Sequence, residues 1–281
     1  ATGQMFFIRN ESNPLKADAV IVDEMSMVDI QLLHSLLQAI PAGKRLILVG
    51  DPDQLPPVGP GFPFSDMLRS EMLPAVRLTE IFRQAQESLI VMNAHRVNQG
   101  QMPNLKDRKS DFFFLPCRSD AEVQQTVVGL CATRLPKNMG IPSDQIQVLS
   151  PTRKGSVGTA SLNQVLQSAL NPAGPTKKER QFGDFSFREG DRVMQIRNNY
   201  DIIWKKQDGS AIGTGVFNGD VGTVLSIEPH EETMTVVFDD REAEYDFTQL
   251  GELEPAYAMT VHKSQGSEYR AVILTAWNGS P

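Results

Sequence analysis

Residues 19–29 read Ala-Val-Ile-Val-Asp-Glu-Met-Ser-Met-Val-Asp, and residues 46–54 read Leu-Ile-Leu-Val-Gly-Asp-Pro-Asp-Gln. In each, a short apolar run stops at acidic residues: Ala19–Val22 at Asp23-Glu24, and Leu46–Val49 at Gly50-Asp51-Pro52-Asp53-Gln54. Runs of this length and composition read as buried strands. Between them Ile30, Leu32, Leu33, Leu36, Leu37 and Ile40 recur at helical spacing, with Asp29 as the expected N-cap. Strand, helix, strand in that order predicts two parallel strands and a covering helix. Nucleotides bind at the carboxyl ends of such strands. An Asp-Glu pair there suits Mg²⁺ coordination by Asp23 and water activation by Glu24, and a Gln such as Gln54 can orient a water or read a γ-phosphate. Yet no phosphate-cradling G-x-x-x-x-G-K-[ST] occurs in the 281 residues, and Gly43-Lys44-Arg45 precedes a strand instead of following one. The chain reads as part of a phosphate-handling machine whose phosphate loop lies outside it.

Working outward, the length predicts two domains, or two plus a small insertion. Forty per cent hydrophobic and 22% charged residues are ordinary for a globular chain. No apolar run approaches the ~18 residues of a membrane span, and the first residues do not form a secretory signal. A cytoplasmic protein without a membrane partner is expected, with an amino end that looks cut from something longer. Cys117 and Cys131 have no C-x-x-C spacing and read as two reduced, buried thiols. A net charge of −7 argues against a wholly basic nucleic-acid binder but leaves room for a local basic groove.

The segment Leu55–Gly61, rich in Pro and Gly, must be a loop. Beyond it Ser88–Asn98 reads as a helix and Asp111–Leu115 as a strand. Ser119, three residues before Glu122, opens a further helix with a capping-box signature. Ile146–Leu149 reads as a buried strand ending at Ser150-Pro151-Thr152-Arg153, followed by a helix through Leu162, Val165, Leu166 and Leu170 that closes at Asn171-Pro172. From about Arg188 to Leu250 the helical period disappears. Val193–Arg197, Val221–Ile227, Thr233–Phe238 and Glu242–Phe247 read as short strands with turns at Asn218-Gly219-Asp220 and Asp239-Asp240, which suits a small β-barrel. The end returns to α/β, with a helical turn over Ala256–His262 and a strand over Ala271–Ala276.

Two hydroxyls and two cations in Ser150-Pro151-Thr152-Arg153-Lys154 suit DNA phosphates. In the barrel, Arg188, Arg192, Arg197, Lys205 and Lys206 with Tyr200 and Trp204 between them are candidates for a stacking and phosphate-binding surface. Against that, residues 228–254 carry ten Asp/Glu and one Arg, so the barrel is either strongly two-faced or a protein-contact module.

The stretches Asp23–Asp29 and Gly50–Val58 resemble the second and third motifs of the RecD-type superfamily 1 DNA helicases, relatives of the exodeoxyribonuclease V alpha chain. Leu78–Gln84 resembles their fourth motif and Thr260–Glu268 their fifth; Phe187–Val193 and Phe217–Gly222 resemble their inserted SH3-like barrel. The resemblance implies an α/β fold of two RecA-like P-loop NTPase-type domains, the first incomplete, around that barrel. Residues 1–84 would complete the first motor domain, 85–184 and 251–281 form the second, and 185–250 the barrel.

It implies ATP and Mg²⁺ as cofactors and single-stranded or duplex DNA as partner, with other repair or recombination subunits. Asp23, Glu24, Gln54 and Arg83 would be catalytic, Asp23 holding the metal through water and Arg83 neutralising charge on the transferred phosphoryl group. Gly50, Asp51, Gln84, Gly266 and Glu268 would meet the nucleotide. Pro151, Thr152, Arg153, Thr260 and His262 would meet DNA, and Lys263 suits either. The family's phosphate loop and sixth motif do not occur in the chain, so ATP turnover by this polypeptide alone is not expected. The parent activity is expected to be 5′-to-3′ translocation and unwinding. The alternatives are a non-catalytic module that grips DNA or a partner protein, a translocase that never separates strands, and a segment of a conjugative, relaxase-linked helicase.

Overall fold

The computed structural model describes residues 7–78, 87–107 and 111–276. The chain divides after Leu115 into two compact units, each with its own core.

In the first unit, β1 (Ala19–Val22) pairs parallel with β2 (Arg45–Leu48), from Ala19 opposite Arg45 to Val22 opposite Leu48. Helix α1 (Ile30–Ala39) joins them, and the Asp29 carboxylate accepts from the Leu32 N–H at 2.7 Å to cap it. That bond satisfies one of the amides a helix start leaves unpaired. Helix α2 (Pro63–Ser70) opens on a proline, whose missing N–H is no loss in a first turn. Met25, Val28, Leu33 and Phe64 form the core, with Val22, Leu36 and Leu48 packed against it.

Helix α3 (Leu89–Asn98) is capped by Ser88, and Asp111 adds a second acceptor for the Leu89 and Ile90 amides. The expectation of a strand over Asp111–Leu115 is corrected here: the segment belongs to no sheet among the described residues. Its apolar run has the composition of a strand but finds no ladder to join, and Asp111 serves as a helix cap instead.

In the second unit, α4 (Asp120–Gly129) runs through a π turn at Leu130–Arg134 into α5 (Leu135–Met139). Ser119 accepts from the Glu122 N–H as expected, while the Glu122 carboxylate takes the amide of Arg118, one residue before the cap. Strand β3 (Ile146–Ser150) is buried throughout, and α6 (Thr159–Leu170) packs Leu162 and Leu166 beneath it.

The hairpin β4 (Glu179–Phe182) and β5 (Phe185–Arg188) leads to seven further strands. These are β6 (Arg192–Gln195), β7 (Asn199–Lys206), β8 (Ile212–Val216), β9 (Val221–Glu228), β10 (Thr233–Phe238), β11 (Arg241–Asp246) and β12 (Leu253–Pro255). They form one antiparallel sheet in the order β12-β6-β9-β10-β11-β7-β8. All seven send side chains into a single core, from Val193 and Ile202 to Tyr245 and Leu253, which a flat sheet could not do. The sheet is therefore rolled into a small barrel.

The chain then enters β13 (Ala258–Thr260) and β14 (Ala271–Leu274), which flank β3 in a three-stranded parallel sheet. The expected helical turn over Ala256–His262 is thus corrected to a strand followed by a 3-10 turn, Val261–Ser264. Ala and Met favour helix, but ladder bonds to β3 and burial of Ala258 and Met259 prevail.

Barrel and α/β layer meet at the fully buried Asp191. Its carboxylate accepts from the Arg188 N–H, Gln167 Nε2, Asn171 Nδ2 and the Tyr257 hydroxyl, all within 2.9 Å. Burial pushes its pKa up, while the hydrogen bonds from Asn171, Arg188, Gln167 and Tyr257 pull it down; the net shift is upward. Cys131 is buried as expected and its thiol is pushed up to about 12 by burial, but Cys117 is half-exposed.

Candidate nucleotide and nucleic-acid sites

The first site lies where β1 and β2 end. Their register finishes both strands at one level, and two further bonds continue the ladder: Val49 N–H to Val22 O at 2.8 Å and Met25 N–H to Val49 O at 2.9 Å. Asp23-Glu24 and Gly50-Asp51 therefore leave the sheet side by side. Gly50 is required by this closeness, since a Cβ there would stand 3.0 Å from the Met25 nitrogen and 3.2 Å from the Phe64 ring. Both carboxylates are exposed. Asp23 Oδ1 accepts from the Glu24 N–H, and Glu24 holds the left-handed conformation, φ 53°, that non-glycine residues rarely adopt. Backbone strain of this kind gathers at functional sites.

The next residue, Ser26, is fully buried, and its hydroxyl donates to Gln54 Oε1 at 3.2 Å. The Gln54 loop is folded on itself: Asp51 accepts from the Asp53 amide, and Asp53 accepts from Asn98 Nδ2 of α3 at 2.8 Å. Asp23, Glu24, Gly50, Asp51 and Gln54 are thus gathered at one strand-end platform. Arg83 and Gln84 lie outside the described residues. Among the described residues no three His, Cys, Asp or Glu cluster as a metal cage. A single exposed carboxylate such as Asp23 fits Mg²⁺, which keeps waters and takes phosphate oxygens as its other ligands.

The second site lies at the ends of β3 and β13. Thr260 pairs with Ser150, so the loop after β3 and the turn after β13 depart from adjacent parallel strands at one level. Ser150 Oγ donates to Val157 O, and the carbonyls of Thr152 and Arg153 accept from the Thr159 and Ala160 amides at the start of α6. The loop is therefore built into the helix N-terminus. Pro151 and Thr152 are half-buried, while Arg153 and His262 are exposed. Glu254, on β12, accepts from Arg153 Nη2 at 2.8 Å and from Lys263 Nζ at 2.6 Å. Burial raises its carboxyl, but the bond and charge of Lys263 and the charge of Arg153 outweigh this and hold it below the usual range. Lys263 thereby joins the Arg153 side.

Gly266, at φ 75°, turns the chain away, and Glu268 faces a cavity of about 330 Å³ lined also by Arg192, Asp220, Asp239 and Arg241 of the barrel. Gly266 and Glu268 belong to the second unit.

Four members of the barrel's candidate cationic surface are engaged within the protein. Arg188 is buried, bonded to Asn171 O and Glu179. Arg192 donates to the Asp144 and Ile146 carbonyls, Lys206 pairs with Asp240 at 2.7 Å, and Trp204 packs against the core under Arg241. Tyr200, Arg197 and Lys205 stay exposed. Sequence reading missed Ser26 and Glu254. Ser26 lies between the named carboxylates and a hydrophobic run, and Glu254 was submerged in the acidic count of the barrel.

Acidic strand ends in one α/β unit, and a second parallel sheet joined to a small barrel, are an arrangement suited to nucleotide handling at strand ends. The family model described as an AAA domain matches residues 8–112, that of the ATP-dependent RecD-like DNA helicase SH3 domain matches 162–238, and that of the UvrD-like helicase C-terminal domain matches 255–280. The ATP-dependent RecD2 DNA helicase of Deinococcus radiodurans is 34% identical over 96% of the chain, which spans 34% of that protein. The RecBCD enzyme subunit RecD of Mycolicibacterium smegmatis is 27% identical over 93% of the chain and is spanned to 45% of its length. The crystal structure of the Pif1 helicase from Candida albicans shares the fold, with a TM-score of 0.51, 18% identity and coverage of 92% of this chain and 65% of that one. Together these matches support a RecD-type superfamily 1 helicase.

Proposed function

We propose that the chain is the part of an ATP-dependent DNA helicase that holds the catalytic carboxylates of the first motor domain, the barrel and most of the second motor domain. Domain limits of 1–84, 185–250, and 85–184 with 251–281 are proposed with it. The observation that carries the reading is the common level of the β1 and β2 ends, which sets Asp23-Glu24 beside Gly50-Asp51 with Ser26 bonded to Gln54.

ATP would supply the phosphoryl group to be hydrolysed, and Mg²⁺ would supply charge neutralisation there. Asp23 would hold the metal through water. Glu24 takes the proton from the attacking water, and Gln54 orients that water. Gly50 and Asp51 line the phosphates; Arg83, Gln84, Gly266 and Glu268 are assigned to nucleotide from the family pattern. Pro151, Thr152, Arg153, Thr260 and His262 hold the single strand through its phosphates, without reading its sequence. Movement is 5′ to 3′, by opening and closing of the two motor domains in a cycle gated by nucleotide. The 281 residues alone do not turn over ATP, because they hold no phosphate-cradling loop. Partner subunits for repair or recombination and a cytoplasmic location belong to the same reading; among the described residues no helix is long and apolar enough to cross a membrane.

The test is Glu24→Gln in the full-length protein. Loss of a general base predicts a fall of at least ~100-fold in DNA-stimulated phosphate release, with single-stranded DNA binding retained. Phosphate release at the wild-type rate would remove Glu24 from the reaction.

A further inference from the structure

The Glu254 carboxylate bridges two cations that reach it from different segments. One oxygen accepts from Arg153, in the loop after β3, and the other from Lys263, in the turn after β13. Each oxygen faces one cation, the arrangement in which two non-bridging oxygens of a phosphodiester would meet them. Glu254 itself is fixed from behind. Its neighbours Leu253 and Pro255 complete the β12–β6 ladder, and Leu253 is a member of the barrel core. Arg153 is exposed, at 64%, and Glu254 and Lys263 are half-buried, below 30%, so an incoming anion has access. The bridge also lies at the rim of a cavity of about 150 Å³ that includes Thr159, Asn163, Met194 and Thr260.

We propose that Glu254 is an internal stand-in for a DNA phosphate. It holds Arg153 and Lys263 side by side while the groove is empty and yields them to the strand on binding. The inference rests on the reading of the loop after β3 as a DNA contact. Physically the exchange is balanced in charge: one monoanion replaces another on the same two cations. It is driven by the counterions the strand releases, and it is opposed by the ion pairs that must break. Glu254 therefore keeps the two cations preorganised, and its charge weakens the groove for DNA.

The experiment is fluorescence anisotropy of a labelled oligothymidylate titrated with the 281-residue chain at several salt concentrations. The chain is compared with Glu254→Gln, with the double variant Arg153→Ala and Lys263→Ala, and with the triple variant. Glu254→Gln is expected to bind about three- to fivefold more tightly at low salt, the scale of half-exposed ion pairs. The gain should vanish in the triple variant relative to the double. Unchanged or weaker binding by Glu254→Gln overturns the inference, and so does a gain that persists without the two cations, which would be a general charge effect. If the double variant binds as the wild type does, the DNA reading of the loop falls first and the inference with it. Thermal melting establishes that each variant is folded, and Glu254→Ala carries the same expectation should the Gln variant not fold.

Discussion

Gly50 sets the spacing on which the first site depends. Its backbone passes within contact of Met25, so any side chain must displace the amide bonded to Val49 O or the Phe64 ring in the core. Gly50→Ala is expected to destabilise the first unit by about 1–3 kcal/mol, the usual cost of an inserted methyl group in a packed place. Urea unfolding followed by circular dichroism measures this, and an unchanged midpoint would mean that the strand ends are looser than described. Glu24 shows the other side of local geometry. The sequence made it legible as a carboxylate at a strand end, but its left-handed φ was not legible, because nothing in Asp-Glu-Met demands it. The same holds for Glu254. Its residue type reads as surface acid, and only the tertiary approach of Arg153 and Lys263 gives it a role.

Among the elements, Asp191 joins most. It ties the turn before β6 to α6 through Gln167 and Asn171 and to the strand entry through Tyr257. Because burial raises its folded pKa, the folded state keeps the Asp191 proton to higher pH than the unfolded chain does. The stability this contributes is fully present below the unfolded value and is lost as pH rises through the folded one. Asp191→Asn keeps the shape but turns an NH₂ toward buried donors, which is expected to cost about 1–3 kcal/mol. Urea unfolding of both proteins from pH 4 to pH 7 should show the gap narrowing as pH rises; a gap that widens would contradict the account.

The elements also show where pattern reading succeeds. Alternation along Thr233–Phe238 marked β10 to the residue, because one face is buried and the other is not. The β7–β8 hairpin was not seen. Adjacent Ile202 and Ile203 break the alternation, a register shift interrupts the pairing, and Gly213 and Gly215 are poor strand formers. The run Phe112–Leu115 has the opposite lesson, since strand composition without a neighbouring strand gives no sheet.

For the whole molecule, two cores in one chain carry two kinds of strand-end site, one acidic and one with basic side chains. Residues 1–115 hold Asp23, Glu24 and Gln54, and residues 116–281 hold Arg153, Lys263 and the barrel. The α/β class, the barrel and the acidic platform were all legible in the sequence, because periodicity and motif order are local properties. The Glu254 bridge and the buried Asp191 junction were not, since each joins residues far apart in the chain. We propose that this division serves a DNA-driven ATP motor. Its most direct test is steady-state ATP hydrolysis, with and without single-stranded DNA, by the 281-residue chain and by the full-length protein. The account predicts silence from the chain and DNA-stimulated turnover from the full-length protein. DNA-stimulated turnover by the chain alone, or none by the full-length protein, would contradict it.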